Sequence, residues 1–141
     1  VYDGSAGTLV DTNIWVDCMD STSAWHAWAV QALQACSESA PLVVNVVVYV
    51  ELLVPRKDPE PIDTLLDIYE VLRTDLPWDS AALAAGAFAL YRHRGGARSR
   101  PLPDFFIGAH AAVANLSVLT RDRSGYASYF PRLRLVAPEA A

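Results

Sequence analysis

Thr8-Leu9-Val10-Asp11-Thr12-Asn13 opens the patterned part of the chain: a short β-type run that stops at an acidic residue. An apolar run this short, closed by a polar residue, reads as a buried strand whose carboxyl end carries an acid. The same grammar recurs outward along the chain. Pro41 opens Leu42-Val43-Val44, which ends at Asn45. Asn45 is placed to cap a helix carrying Val48, Glu51 and Leu52 that stops before Pro55. Ser117-Val118-Leu119-Thr120 reads as another strand, followed by Asp122, and Leu133-Arg134-Leu135-Val136 as the last. Between the strands lie helical patterns. Ser23 is a candidate cap for a helix over residues 24–36, with Trp25, Trp28, Ala29 and Leu33 on helical spacing. Pro59 and Pro61 mark the start of another, with Ile62, Leu65, Leu66, Tyr69 and Leu72 as its apolar stripe, and residues 73–76 form a possible short strand. Asp79 caps a helix to about His93, closed by Arg94-Gly95-Gly96, and Pro103 begins one through about Ala114. Strands alternating with helices predict an α/β three-layer sandwich: a central parallel sheet of about five strands with helices on both faces. In such folds ligands collect at the carboxyl ends of the strands.

The chain has 141 residues, of which 52% are hydrophobic, enough for one domain to bury a core without staples. That domain is expected over residues 8–141, with 1–7 a flexible, unpatterned N-terminal segment. Cys18 and Cys36 stand in no metal-binding or redox spacing and read as small apolar residues in a reducing, cytoplasmic setting. The N-terminus has no basic region followed by a hydrophobic stretch, so no secretory signal is expected. No apolar run is long enough to span a bilayer; Leu42 to Val50 is interrupted by Asn45 and followed by Glu51. The net charge of −5 argues against a protein that holds nucleic acid by bulk charge. It leaves room for an enzyme that touches nucleic acid through bound metal and a local basic patch.

Asp11, Glu51, Asp104 and Asp122 are the residues that carry chemistry. Taken singly, each has an ordinary explanation: a turn, a helix edge, a first-turn aspartate favoured by the helix dipole, a loop. Glu51 is the most costly, since valines and leucines surround it and a carboxylate there must be hydrogen-bonded, protonated or bound to a cation. Taken together, two acids lie just beyond strand ends, and two lie on helices that start from the same rim. Carboxylates converging in one cleft repel one another unless cations neutralise them. An all-oxygen set suits Mg²⁺ or Mn²⁺, one or two ions, and the lack of a His or Cys cluster argues against zinc. Metals held this way can activate water for attack on a phosphodiester.

Four segments, with the closing run Tyr129 to Val136, resemble the PIN-domain ribonucleases, and more narrowly the VapC-type toxins of type II toxin–antitoxin systems. They are Val10-Asp11-Thr12-Asn13-Ile14-Trp15, Val48-Tyr49-Val50-Glu51-Leu52, Leu102-Pro103-Asp104-Phe105 and Leu119-Thr120-Arg121-Asp122. The resemblance runs from Leu9 to Val136 and rests on the order and spacing of the pieces. It implies a metal site built from Asp11, Glu51, Asp104 and Asp122, supported by Asn13 and Thr120. It also implies endoribonuclease action on structured RNA such as tRNA or ribosomal RNA, a homodimer, and inhibition by a small antitoxin.

For RNA, Arg92, His93, Arg94, Arg98 and Arg100 cluster around Gly95-Gly96 ahead of Asp104, and Arg121 and Arg123 flank Asp122. The alternative for the first group is a solvated helix end whose cations complement the dipole. Trp25 and Trp28 read as core or partner-facing, and His26 and His110 as helix-face residues rather than catalysts. A phosphoacceptor receiver domain is disfavoured because Arg121, not lysine, follows the late strand. A haloacid-dehalogenase-like phosphatase is disfavoured because Asn13 stands where a second aspartate is wanted. A non-catalytic PIN-like module for RNA binding or dimerisation and a free-standing RNA-processing PIN nuclease remain as alternatives.

Overall fold

The computed structural model describes residues 4–95 and 102–139. In chain order the elements are β1 (Thr8–Val10), α1 (Thr12–Met19), α2 (His26–Ser39), β2 (Leu42–Val44), α3 (Val46–Leu53), α4 (Glu60–Ile68) and β3 (Leu72–Arg73). There follow α5 (Ser80–His93), α6 (Leu102–Ala114), β4 (Ser117–Leu119), α7 (Arg123–Tyr129) and β5 (Leu135–Val136). All strands pair in parallel, in the order β3-β2-β1-β4-β5, giving the expected five-stranded sheet. The steps from β1 to β2 to β3 run one way across the sheet, and those from β3 to β4 to β5 run the other. Right-handed crossovers therefore put the two groups of helices on opposite faces.

The three central strands are short and wholly buried, as their Val/Leu content requires of a sheet covered on both sides. Leu9, Val10, Val118 and Leu119 are fully enclosed, with Trp15, Leu33, Leu52, Ile62, Phe105 and Ile107 packed around them from the helices. Gly108 on α6 is fixed by close approach: a Cβ there would run into the ring of Phe130. Cys18 and Cys36 are not disulfide-bonded. Among the described residues, no helix is long and apolar enough to cross a membrane.

Several local expectations shift. Helix α1 begins directly after Asp11, where the sequence suggests only a strand end. Ser23 does not cap α2; its hydroxyl accepts from Trp25 N in the turn before it, and the helix starts at His26. α4 ends at Ile68, because Glu70 takes a left-handed conformation (φ 52°) and releases Leu72 into β3. Ser5 and Gly7, from the segment expected to be flexible, are buried; Ser117 N donates to Gly7 O at 3.0 Å.

His110 lies on α6 away from the acids, on the buried face of the helix: it is 2% exposed and meets Asn45 at 3.0 Å. Asn45 Oδ1 already accepts from Val48 N to cap α3, so the amide nitrogen faces the imidazole and donates to Nδ1. His110 is thereby neutral with its proton on Nε2, and burial lowers its pKa below the ordinary 6.5. Since the unfolded chain takes up this proton more readily, stability from His110 is full above about pH 6.5 and is lost as pH falls towards the depressed folded value. Urea midpoints measured across that window should fall with acidity in the wild type. In His110→Gln that component of the slope should vanish; an unchanged slope would remove His110 as its source.

Candidate active site

β1 and β4 lie side by side at the point where the chain reverses its direction across the sheet, so their carboxyl ends flank a crevice. Asp11 follows β1 and Asp122 follows β4. Both are also helix N-caps: Asp11 Oδ1 accepts from Thr12 N at 2.7 Å, and Asp122 Oδ1 from Gly125 N at 3.1 Å. Glu51 enters from α3 and Asp104 from the first turn of α6. All four predicted acids line one cleft of about 350 Å³, together with Thr12, Asn13, Val16 and Arg121. A separate apolar cavity of about 400 Å³, between α6 and residues 129–134, contains no acid.

Asp11 is the buried member of the set, at 6% exposure. Its Oδ2 accepts from Thr120 Oγ1 at 2.8 Å and from Tyr126 OH at 3.0 Å, with Asn13 Nδ2 at 3.4 Å. Burial pushes the Asp11 carboxyl above the ordinary carboxylate value; the bonds from Thr120, Tyr126 and Thr12 N pull it back, and the charge of Asp122 raises it. Tyr126 is held well above the usual phenol value, first by burial and then by the charges of Asp11, Asp104 and Asp122, so it stays protonated and donates.

Thr120 and Asn13, the two residues expected to support the acids, both lie against Asp11. Thr120 Oγ1 gives its proton to Asp11 and accepts from Asp122 N at 3.0 Å, tying both strand-end acids to one hydroxyl. Asn13 Oδ1 accepts from Arg121 N at 3.2 Å, fastening the start of α1 to the loop after β4. Three contributors escaped the sequence reading. Thr12 Oγ1 donates to Glu51 Oε1 at 2.7 Å. Tyr126 sits on α7, a helix the sequence does not suggest, although its place four residues after the N-cap Asp122 would have turned it inward. Asp17, 4% exposed, binds Arg121 Nε at 2.6 Å and accepts from Ser23 Oγ at 3.0 Å.

Among the described residues no three acidic, imidazole or thiol groups are drawn together closely enough to form a ready metal cage. The chemistry of the donor set nevertheless fits a hard divalent cation: every side-chain ligand available in the cleft is an oxygen, and Asp11 is a desolvated carboxylate bordered by further acids.

A family model for the PIN domain matches residues 8–129, which include all four acids and their supporting hydroxyls. The chain belongs to the PIN-domain family. Solved PIN-like structures agree with it over nearly the whole fold. A chain of VapBC2 from Rickettsia felis, bound to a DNA fragment from their promoter, is 18% identical with a TM-score of 0.71, covering 94% of this chain and 98% of that one. A Klebsiella pneumoniae toxin–antitoxin complex contains a chain 23% identical at TM-score 0.64, covering 96% and 100%. Mycobacterium tuberculosis VapC20, a sarcin-ricin loop cleaving toxin, is 18% identical at TM-score 0.64, covering 94% and 100%. No curated protein sequence matches at a significant level.

The basic residues of this PIN domain fall into distinct settings. Arg92 and Arg94, at the exposed end of α5, lie over the rings of Phe88 and Tyr129, within an aromatic cluster that includes Phe105 beside Asp104. Arg98 and Arg100 lie outside the described residues. Arg121 lines the cleft but is held by Asp17 and lies over Trp25, which makes it a brace between α1 and the loop after β4.

Proposed function

We propose that this PIN domain is a metal-dependent endoribonuclease toxin that hydrolyses phosphodiester bonds in structured RNA such as tRNA or ribosomal RNA. The observation that carries the reading is the meeting of Asp11, Glu51, Asp104 and Asp122 in one cleft at the carboxyl ends of β1 and β4. One or two Mg²⁺ or Mn²⁺ ions bound there would neutralise the acids and activate water for in-line attack, leaving a 5′-phosphate and a 3′-hydroxyl. The chain's own part is positioning. Thr120, Tyr126 and Thr12 N hold Asp11, Thr12 holds Glu51, and Gly125 N holds Asp122, so the carboxylates are oriented before substrate arrives. With a net charge of −5, RNA must be gripped locally. Arg92 and Arg94 are suited to this, being exposed and propped on aromatic rings near Asp104; Arg98, Arg100 and Arg121 complete the candidate set.

The partner reading follows the company the fold keeps. Chains of this shape occur in toxin–antitoxin complexes, and we extend that to a cytoplasmic homodimer inhibited by a small antitoxin, whose basic or aromatic segment would enter the acidic cleft.

The test is cleavage of pooled tRNA and ribosomal RNA by purified protein with Mg²⁺ or Mn²⁺, against EDTA, with Asp104→Asn alongside. Discrete fragments that disappear with EDTA and with the substitution are expected. Cleavage that survives Asp104→Asn would place the activity elsewhere, and stable binding of RNA without cleavage in any metal would favour the non-catalytic module.

A further inference from the structure

An ionised carboxylate offers about two lone pairs on each oxygen, and in Asp11 the two oxygens are used unequally. Oδ2 accepts from Thr120 Oγ1 at 2.8 Å and Tyr126 OH at 3.0 Å, with the longer Asn13 contact beside them. Oδ1 accepts from Thr12 N at 2.7 Å. The two hydroxyls on Oδ2 cannot swing away into water: Thr120 is wholly buried and Tyr126 is 2% exposed. Thr120 is further fixed by accepting from Asp122 N. Tyr126 stands on α7, and the Asp122 cap holds that helix against the same crevice.

We propose that Tyr126 is a positioning residue that, with Thr120, saturates Asp11 Oδ2 and leaves Oδ1 as the one oxygen through which Asp11 takes a divalent cation. This rests on the reading of Asp11 as a cation ligand and adds to it the binding mode and its consequence for selectivity. A carboxylate limited to one oxygen suits the small, strictly octahedral Mg²⁺. A carboxylate free to use both suits Ca²⁺, which accepts two-oxygen ligation and a higher coordination number. Tyr126 thus biases the cleft towards Mg²⁺ without touching the cation.

Isothermal titration of the whole protein with Mg²⁺ and with Ca²⁺ tests this, in wild type, Tyr126→Phe, Thr120→Val, Thr120→Ser and Asp11→Asn. Tyr126→Phe keeps the ring and its packing and removes only the hydroxyl, and Thr120→Val frees the same oxygen from the other side. In either, the affinity ratio is expected to move towards Ca²⁺ by about tenfold, the scale on which partners of metal ligands act. Thr120→Ser, which keeps the donor, should hold the wild-type ratio. Should Asp11→Asn abolish binding while Tyr126→Phe and Thr120→Val leave the ratio unchanged, the proposal is overturned and the ligand reading stands. If wild type shows no binding that depends on Asp11, the ligand reading falls and takes this proposal with it.

Discussion

Asp11→Asn is expected to lower RNA cleavage by roughly two to three orders of magnitude, the scale on which a preorganised electrostatic element is lost, while leaving the fold in place. Asn is as good an N-cap as Asp, so its side-chain oxygen can still accept from Thr12 N and hold the start of α1. What disappears is charge. The position of Oδ2 now carries an amide nitrogen facing the hydroxyls of Thr120 and Tyr126, and the cleft loses its one buried carboxylate. Two readouts separate a chemical loss from a structural one. Circular dichroism and the urea midpoint without divalent cation should stay close to wild type. The rise in Tm on adding Mn²⁺, which reports ligand binding to the folded state alone, should be present in wild type and gone in the variant. Near wild-type cleavage by Asp11→Asn would sink the proposed site.

The second large effect is on stability. Arg121→Ala should destabilise the protein by about 2–4 kcal/mol, because it leaves Asp17 with little water to replace its partner. Asp17 is 4% exposed, whereas a third of the Arg121 side chain remains accessible, so the value belongs below that for breaking a fully enclosed pair. The decisive comparison is the double variant Asp17→Asn/Arg121→Ala, in which no buried charge is stranded. It should recover much of the loss in urea denaturation, since removing both partners of a buried pair costs less than removing one. If the double variant is no more stable than Arg121→Ala, the cost lies in lost packing over Trp25 rather than in the charge. Either way, the ion pair ties α1 to the segment carrying Asp122, so this is a residue whose loss should also blunt cleavage.

The placement of the acids was legible because a short buried strand has to end somewhere, and Val10-Asp11 and Leu119-Thr120-Arg121-Asp122 mark both the end and the acid that follows it. Two covered strands with acids after them already place those acids on one rim, whatever lies between. Glu51 was legible for the opposite reason: a lone charge among valines and leucines demands a partner, and the structure supplies Thr12. The helices α1 and α7 were not legible. α1 is a single stretch of 8 residues with Thr, Asn, Val, Asp and Cys, all indifferent helix formers. α7 spends its first turn on Arg-Ser-Gly. Both are held by their caps and by burial, neither of which composition displays. With α7 unseen, Tyr126 could not be placed. The Asp17–Arg121 pair spans 104 residues of sequence and leaves no periodic trace. The burial of His110 left no trace for a related reason: its partner Asn45 is 65 residues away.

Asp11 and Asp122 each hold the first turn of a helix as well as a corner of the cleft. Capping accepts Asp, Asn, Ser and Thr almost interchangeably, whereas cation binding wants the carboxylate. Asp→Asn at either position would therefore, on the proposed function, silence the chemistry and leave the cap in place. On that function, a lineage descended from this protein could lose its activity in one step without any selection against misfolding. Members inactivated in this way would share the shape of active ones and would be told apart by the side chains at residues 11 and 122.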